Sequence, residues 1–138
     1  MSFTVEKTWT TKAGLTAVAV IVIYSGKKHH RCGYVAVPAD SLLAKLHYDS
    51  SMLKSISVHG GLSYSKQDNS ADKYPIDSTD WFFGFDCFHC DDGIIEPTKQ
   101  ELELYAFKEP AKSLDFVVTE CESLAEQLAK ILRGDSHD

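Results

Sequence analysis

The run Ala17-Val18-Ala19-Val20-Ile21-Val22-Ile23-Tyr24 constrains the fold more than any other part of this chain. Its β-branched residues favour extended backbone. It contains no polar position that could turn one face to water, so it reads as a central strand buried on both faces. The longest apolar stretch, Leu15 to Tyr24, is interrupted by Thr16 and is about half as long as a membrane-spanning helix requires. No membrane partner is therefore expected.

Other elements gather around that strand. Phe3 to Thr11 alternates loosely, with Val5, Lys7 and Trp9 expected on one side, and Lys12-Ala13-Gly14 is a turn. Ser25 to Lys28 reads as a second turn. It leads into a strand from Arg31 to Val37 that stops at Pro38, giving a hairpin or meander. Ser41 to Leu46 reads as a short helix capped by Asp40. Leu53 to Val58 reads as a strand, broken by His59-Gly60-Gly61, with extended chain resuming over Leu62 to Ser65. Lys66 to Thr79 is polar, contains Pro75 and reads as a surface loop, Trp81 to Cys87 as a strand, and Thr98 to Phe107 as one or two helical turns.

The last element is the clearest. Leu114, Val117, Val118, Cys121, Leu124, Ala125, Leu128 and Leu132 recur at helical spacing. Ser113 is the expected N-cap, Asp115 lies in the first turn, Lys130 and Arg133 lie in the last, and Gly134 closes the helix. Several strands followed by an amphipathic helix imply an α+β fold: a mostly antiparallel sheet with the C-terminal helix packed on it. The 138 residues read as a single domain with a frayed tail over 134–138.

Composition narrows the function classes. The net charge of −6 argues against a DNA or RNA polymer as partner, because such binding needs a basic surface. A small anion held by a few local cations stays compatible with it. Met1 to Lys7 lacks the basic and apolar regions of an export signal, so the four cysteines read as reduced thiols in a cytoplasmic protein.

Chemistry concentrates in Trp81-Phe82-Phe83-Gly84-Phe85-Asp86-Cys87-Phe88-His89-Cys90-Asp91-Asp92, where an apolar strand ends in carboxylates, thiols and an imidazole. In a regular strand Trp81, Phe83, Phe85 and Cys87 share one face, and Phe82, Gly84, Asp86 and Phe88 the other. The second face offers a bare glycine beside Asp86, a shape for a flat ring stacked on Phe82 or Phe88. A two-sided core strand with Asp86 capping a turn is the competing reading. Cys87 and Cys90 with His89 could serve zinc, a redox pair or merely the core. Asp86, His89, Asp91 and Asp92 with His59 could hold a metal or perform acid–base work.

His59-Gly60-Gly61 permits positive φ and close backbone approach to an anion, or forms a simple turn. In the basic run Lys27-Lys28-His29-His30-Arg31, the lysines read as a solvated tip and Arg31 as a residue held on the sheet. No nucleophile elbow, H-E-x-x-H, Walker loop or dinucleotide fingerprint is present.

The segments Arg31 to Pro38, Val58 to Ser65 and Trp81 to His89 resemble a family of small proteins encoded by phages and prophages. Its motifs are C-G-Y-V-x-V-P, H-G-G-[LI]-T-[YF]-S and W-[WFY]-x-G-F-D-C-x-H-x-x-D. His59, Gly60, Gly61, Tyr64, Trp81, Gly84, Asp86, Cys87, His89 and Asp92 sit on those motifs, and the terminal helix is similar as well. Cys90 departs from the pattern, and Ser63 replaces Thr with the hydroxyl kept.

The resemblance implies a phage accessory protein in the host cytoplasm that sequesters a nucleotide-derived immune signal. On that expectation Arg31, with Lys27 or Lys28, meets phosphate, and Gly60 and Gly61 offer backbone donors. Tyr64, Trp81 or Phe82 stacks the base, and Asp86 and His89 hydrogen-bond base or ribose. No cofactor is expected, and a homo-oligomer is. The alternatives are a small metal-assisted or acid–base hydrolase working through His59, Asp86 and His89, and an acidic inhibitor of a host protein. All site assignments require the glycine pair near Gly60 and the acid–imidazole end of the aromatic strand to converge around a shared hollow that the protein's own side chains leave open.

Overall fold

The computed structural model describes residues 1–67, 80–89, 92–105 and 109–134. Most of the stretch expected as a surface loop up to Thr79, together with Cys90, Asp91, Phe107 and the tail beyond Gly134, lies outside the described residues. The fold is α+β. Strands β1 (Ser2–Thr10), β2 (Thr16–Tyr24), β3 (Lys27–Val37), β4 (Tyr64–Gln67) and β5 (Trp81–Asp86) form one five-stranded sheet in the order β1-β2-β3-β5-β4. Every neighbouring pair is antiparallel. Helix α1 (Lys99–Leu104) is short, and α2 (Leu114–Arg133) packs on the sheet.

Strand β2 is second in the sheet, interior but not at its centre, and is buried as its composition demands, with Ala17, Val18, Ala19 and Val20 all at 0% exposure. Ala17 and Ala19 look towards α2 along with Val35, Val37, Phe83 and Phe85. The helix contributes Val117, Cys121, Leu124, Ala125, Leu128 and Ile131 to that layer. Val18, Val20 and Val22 look the other way, with Cys32, Tyr34, Ala36 and Phe82. The helix boundaries follow from local chemistry. The Ser113 side chain accepts a hydrogen bond from the Phe116 N–H, and Gly134 closes the end at φ 81°.

Two bulges were invisible in the residue pattern. Register shifts between Val5 and Lys7, so Glu6 is an extra residue. Phe3 and Val5 then pack beneath the sheet, while Trp9 packs on the helix side. This corrects the expectation that Val5, Lys7 and Trp9 share a side. Trp9 is fixed there by its indole N–H, which donates to Glu122 of α2 at 2.7 Å. The second shift, between Val22 and Ile23 of β2, makes His29 an extra residue in β3.

β3 begins at Lys27 rather than Arg31, leaving only Ser25 and Gly26 in the turn, both at positive φ. Ser41 to Leu46 forms turns, not a helix, and Leu53 to Val58 is not a strand. A single 3-10 turn at Ser51–Leu53 lies between them. The segment reaching His59 has its polar backbone satisfied by α2 instead of a ladder. Gln127 accepts from the Ser57 N–H at 2.7 Å and donates to the Ser57 carbonyl at 2.8 Å. Lys66 and Gln67, expected in a loop, pair with Phe82 and Trp81.

Candidate site at the end of the aromatic strand

Strand β5 delivers Asp86 at its last position, and the chain then turns through Phe88 and His89 to Asp92. The turn is closed by the Asp92 N–H donating to the His89 carbonyl at 2.8 Å. The Asp92 side chain is only 3% exposed. A carboxylate so placed must be compensated, and its partners come from three parts of the chain. His59 Nε2 lies 2.8 Å from Oδ2, the His89 backbone N–H donates to the same oxygen at 3.0 Å, and Lys112 Nζ lies 3.7 Å from Oδ1. Burial pushes the Asp92 carboxyl up. The bonds from His59 and His89, with the nearby Lys112 charge, outweigh that and hold it below the ordinary Asp range.

The His59-Gly60-Gly61 corner meets the acid–imidazole end of β5 in direct contact, with the His89 ring seated against Gly60 where the sequence suggested a shared hollow. Its backbone is fixed by α2, since the His59 N–H donates to Glu120 Oε1 at 2.7 Å. The His59 ring packs edge-on against Phe116 and His89, each with ring centres 5.2 Å away. Gly60 and Gly61 adopt φ 69° and 84°. At Gly60 a Cβ would fall 1.8 Å from His89 Nε2, so the bare backbone is what admits that imidazole. A Cβ at Gly61 would meet open space, but its N–H, expected as a donor to ligand, is spent on the Val58 carbonyl at 2.9 Å, as in a simple turn. Asp86 Oδ1 accepts the Phe88 N–H at 3.0 Å, and Oδ2 accepts the Ser63 hydroxyl at 3.3 Å. His89 Nε2 donates to the Asp86 carbonyl at 3.0 Å.

Other sequence-derived candidates lie elsewhere. Arg31 is engaged: its guanidinium forks onto Glu6 at 2.7 and 3.3 Å and donates to the Lys112 carbonyl at 2.8 Å. A phosphate there would have to displace Glu6. Phe82 is 3% exposed and belongs to the lower core. Tyr64 packs edge-on against Tyr34, with centres 4.9 Å apart. The flat ring expected over Gly84 is the protein's own, because a Cβ at Gly84 would meet Tyr34 Cδ1 at 2.3 Å. Trp81 stands at the opposite end of β5 and donates to the Leu46 carbonyl at 3.0 Å. Its distance from Asp86 along the strand is on the order of 16 Å.

The site also uses residues the sequence did not mark for it. Glu120, Phe116 and Lys112 come from α2 and the segment before it. Lys112 is held between Asp92 and Glu109 and lies over the Phe116 ring at 5.2 Å. Asp92 was visible only as one of several acidic candidates. The helical spacing of Phe116 and Glu120 puts them on one face, but nothing local ties that face to His59.

The thiols have a structural role. Cys32, Cys87 and Cys121 are free and buried. Burial pushes the Cys32 and Cys121 thiols up to about 12 and Cys87 higher still, which leaves them poor nucleophiles. Among the described residues no group of three or more His, Cys, Asp or Glu side chains is arranged to hold a metal.

The basic run divides into separate roles. His29 Nε2 pairs with Glu101 at 3.2 Å and its Nδ1 meets His30 Nδ1 at 2.8 Å, while Lys28 gives its backbone N–H to Glu96. A hollow of about 280 Å³ opens beside them, lined by residues including Tyr24, Lys27, His29, Thr98 and Glu101. His30 stacks on Phe88 with centres 5.5 Å apart. Burial, then the neighbouring His29, lowers the His30 pKa from 6.5 to about 4 against the opposing pull of Asp86 and Asp92.

A folded pKa below the unfolded one means that the unfolded chain binds the extra proton first. Stability is then expected to fall as pH drops from about 6.5 to 4, by on the order of 2 kcal/mol after allowance for solvent screening. Urea titrations at successive pH values check this. His30→Gln should flatten the slope in that window, and an unchanged slope would contradict it.

The fold and the site define a small α+β protein in which an antiparallel sheet and one long helix hold an Asp–His–His cluster at a strand end. No family model, no curated protein and no solved structure matches the chain. No helix among the described residues is long and apolar enough to cross a membrane.

Proposed function

We propose that this protein captures a small nucleotide-derived ligand at the His59–Asp92–His89 cluster, as a phage accessory protein that withdraws an immune signal in the host cytoplasm. One observation carries the reading: the His59-Gly60-Gly61 corner and the Asp86 to Asp92 turn meet around a buried carboxylate. Two imidazoles and a partly exposed carboxylate are thereby oriented before any ligand arrives. Such preorganisation lowers the entropic cost of binding. The buried, protonated thiols fit capture without turnover.

A thermal-shift screen over nucleotides and cyclic nucleotides tests this. A ligand present at about one hundred times its Kd stabilises the fold by ~2.7 kcal/mol, which should register as a rise in Tm of several degrees. His59→Ala and Asp86→Ala should remove the shift, and Cys90→Ala should leave it unchanged. Ligand released by heat should be chemically intact. Loss of the shift in Cys90→Ala alone would move the site elsewhere.

A second reading draws on the 2.8 Å His59–Asp92 pair, an arrangement suited to general acid–base catalysis. Under that reading the ligand is recovered altered, and His59→Ala protects it.

A further inference from the structure

The site's hydrogen-bonding polarity can be derived from its fixed contacts. His89 Nε2 lies 3.0 Å from the Asp86 carbonyl and 3.4 Å from Asp86 Oδ1. Both atoms are acceptors, so Nε2 carries the hydrogen. His59 Nε2 faces the Asp92 carboxylate, another acceptor, and carries its hydrogen too. In the neutral rings this leaves Nδ1 of each imidazole as a lone-pair acceptor. No Nδ1 partner for either ring is found among the described residues. Asp86 adds a third acceptor, since among the described residues Oδ2 receives the Ser63 hydroxyl alone, at 3.3 Å, and the side chain is 34% exposed.

The surrounding charge has the same sense. Among the described residues, Asp86, Asp92 and Glu120 outnumber the one nearby ammonium, Lys112, which Asp92 and Glu109 already share. Arg31 is neutralised by Glu6. A phosphate entering this cluster would meet carboxylates. A group rich in N–H donors would find acceptors with no partner among the described residues.

Resting on the capture reading above, we infer that the cluster reads the donor edge of a guanine-type base, whose ring N–H and adjacent exocyclic amine face Asp86 and the imidazole Nδ1 atoms. The phosphate of the ligand then points away from the cluster towards solvent. A carboxylate accepts two neighbouring N–H donors at once. Among the common bases, guanine presents a ring N–H beside an amine, whereas the corresponding adenine edge places an acceptor nitrogen beside its amine.

Calorimetric titration of the full chain with guanosine, inosine and adenosine monophosphates tests this. Inosine monophosphate lacks only the exocyclic amine. The guanosine form should bind about tenfold or more tighter than either of the others, the discrimination expected of one good paired contact. Asp86→Asn should erase that preference. Ser63→Ala, which removes the donor on Asp86 Oδ2 and leaves the carboxylate in place, should retain it and so guards against a fold defect being mistaken for lost recognition.

Equal affinity for the three nucleotides, or a preference surviving in Asp86→Asn, overturns the donor-edge inference while leaving capture intact. Failure of all three to bind overturns it together with the nucleotide reading.

Discussion

Asp92→Ala is expected to lower the unfolding free energy by ~2–5 kcal/mol, about 1–3 kcal/mol for each of the two buried donors it leaves unpaired. The carboxylate is 3% exposed and collects the His59 imidazole, the His89 backbone N–H and, more distantly, the Lys112 ammonium. Alanine would leave two donors and a cation facing a void. Asp92→Asn keeps the shape and one acceptor oxygen but not the charge, so its cost should be smaller, about 1–3 kcal/mol. Urea denaturation at neutral pH measures both.

The sign of the pH dependence follows from the lowered pKa. The Asp92 carboxyl has an ordinary value of 3.8 and titrates below it in the folded protein. Its contribution is fully present above about pH 4 and is lost as pH falls through the folded pKa. Asp92→Asn should therefore flatten the acid limb below pH 4. His30 should dominate the loss between about 6.5 and 4. An Asp92→Ala protein within 1 kcal/mol of the parent would show that the two site segments are not joined through this side chain.

Phe85→Ala should cost ~3–5 kcal/mol, the range for deleting a fully buried aromatic ring. Phe85 is 1% exposed on the helix side of the sheet. Its ring occupies space that Gly33 leaves open: a Cβ on Gly33 would lie 2.6 Å from Phe85 Cζ and 2.7 Å from Cys121 Sγ. The glycine therefore has no side chain with which to fill the cavity left by the ring. The two positions should be coupled. Gly33→Ala alone should destabilise by ~1–3 kcal/mol through overpacking and cost less in the Phe85→Ala background. Additive losses in the double variant would mean that the ring and the glycine do not share that space.

Where local composition and packing agreed, the elements could be read directly. The β-branched run at Ala17 to Tyr24 became an interior strand with both faces covered, one place from the sheet's centre, and the apolar stripe from Leu114 to Leu132 became α2 with the anticipated caps. Ser41 to Leu46 and Leu53 to Val58 were misread. Their apolar residues anchor into the helix-side core at Leu43 and Leu53 without forming regular backbone. Short apolar runs report that a residue is buried, not what conformation buries it. The faces of β1 were misread because the extra residue at Glu6 inverts the alternation, and alternation is all that a strand pattern contains.

The amino-acid order alone determined the doubly buried strand β2, the terminal helix and the two segments in which polar chemistry accumulates, because periodicity and capping act between residues close in the chain. Which of those polar groups meet was decided only by tertiary folding. His59 and Asp92 lie 33 positions apart and His59 and Glu120 lie 61 apart, and they meet because β5 and α2 converge at one end of the sheet. The same packing carried Trp81 to the opposite end of β5, sealed Phe82 beneath the sheet and engaged Arg31 with Glu6. A carboxylate sheltered from water must find donors wherever the chain brings them, and that requirement is met through space, not along the sequence.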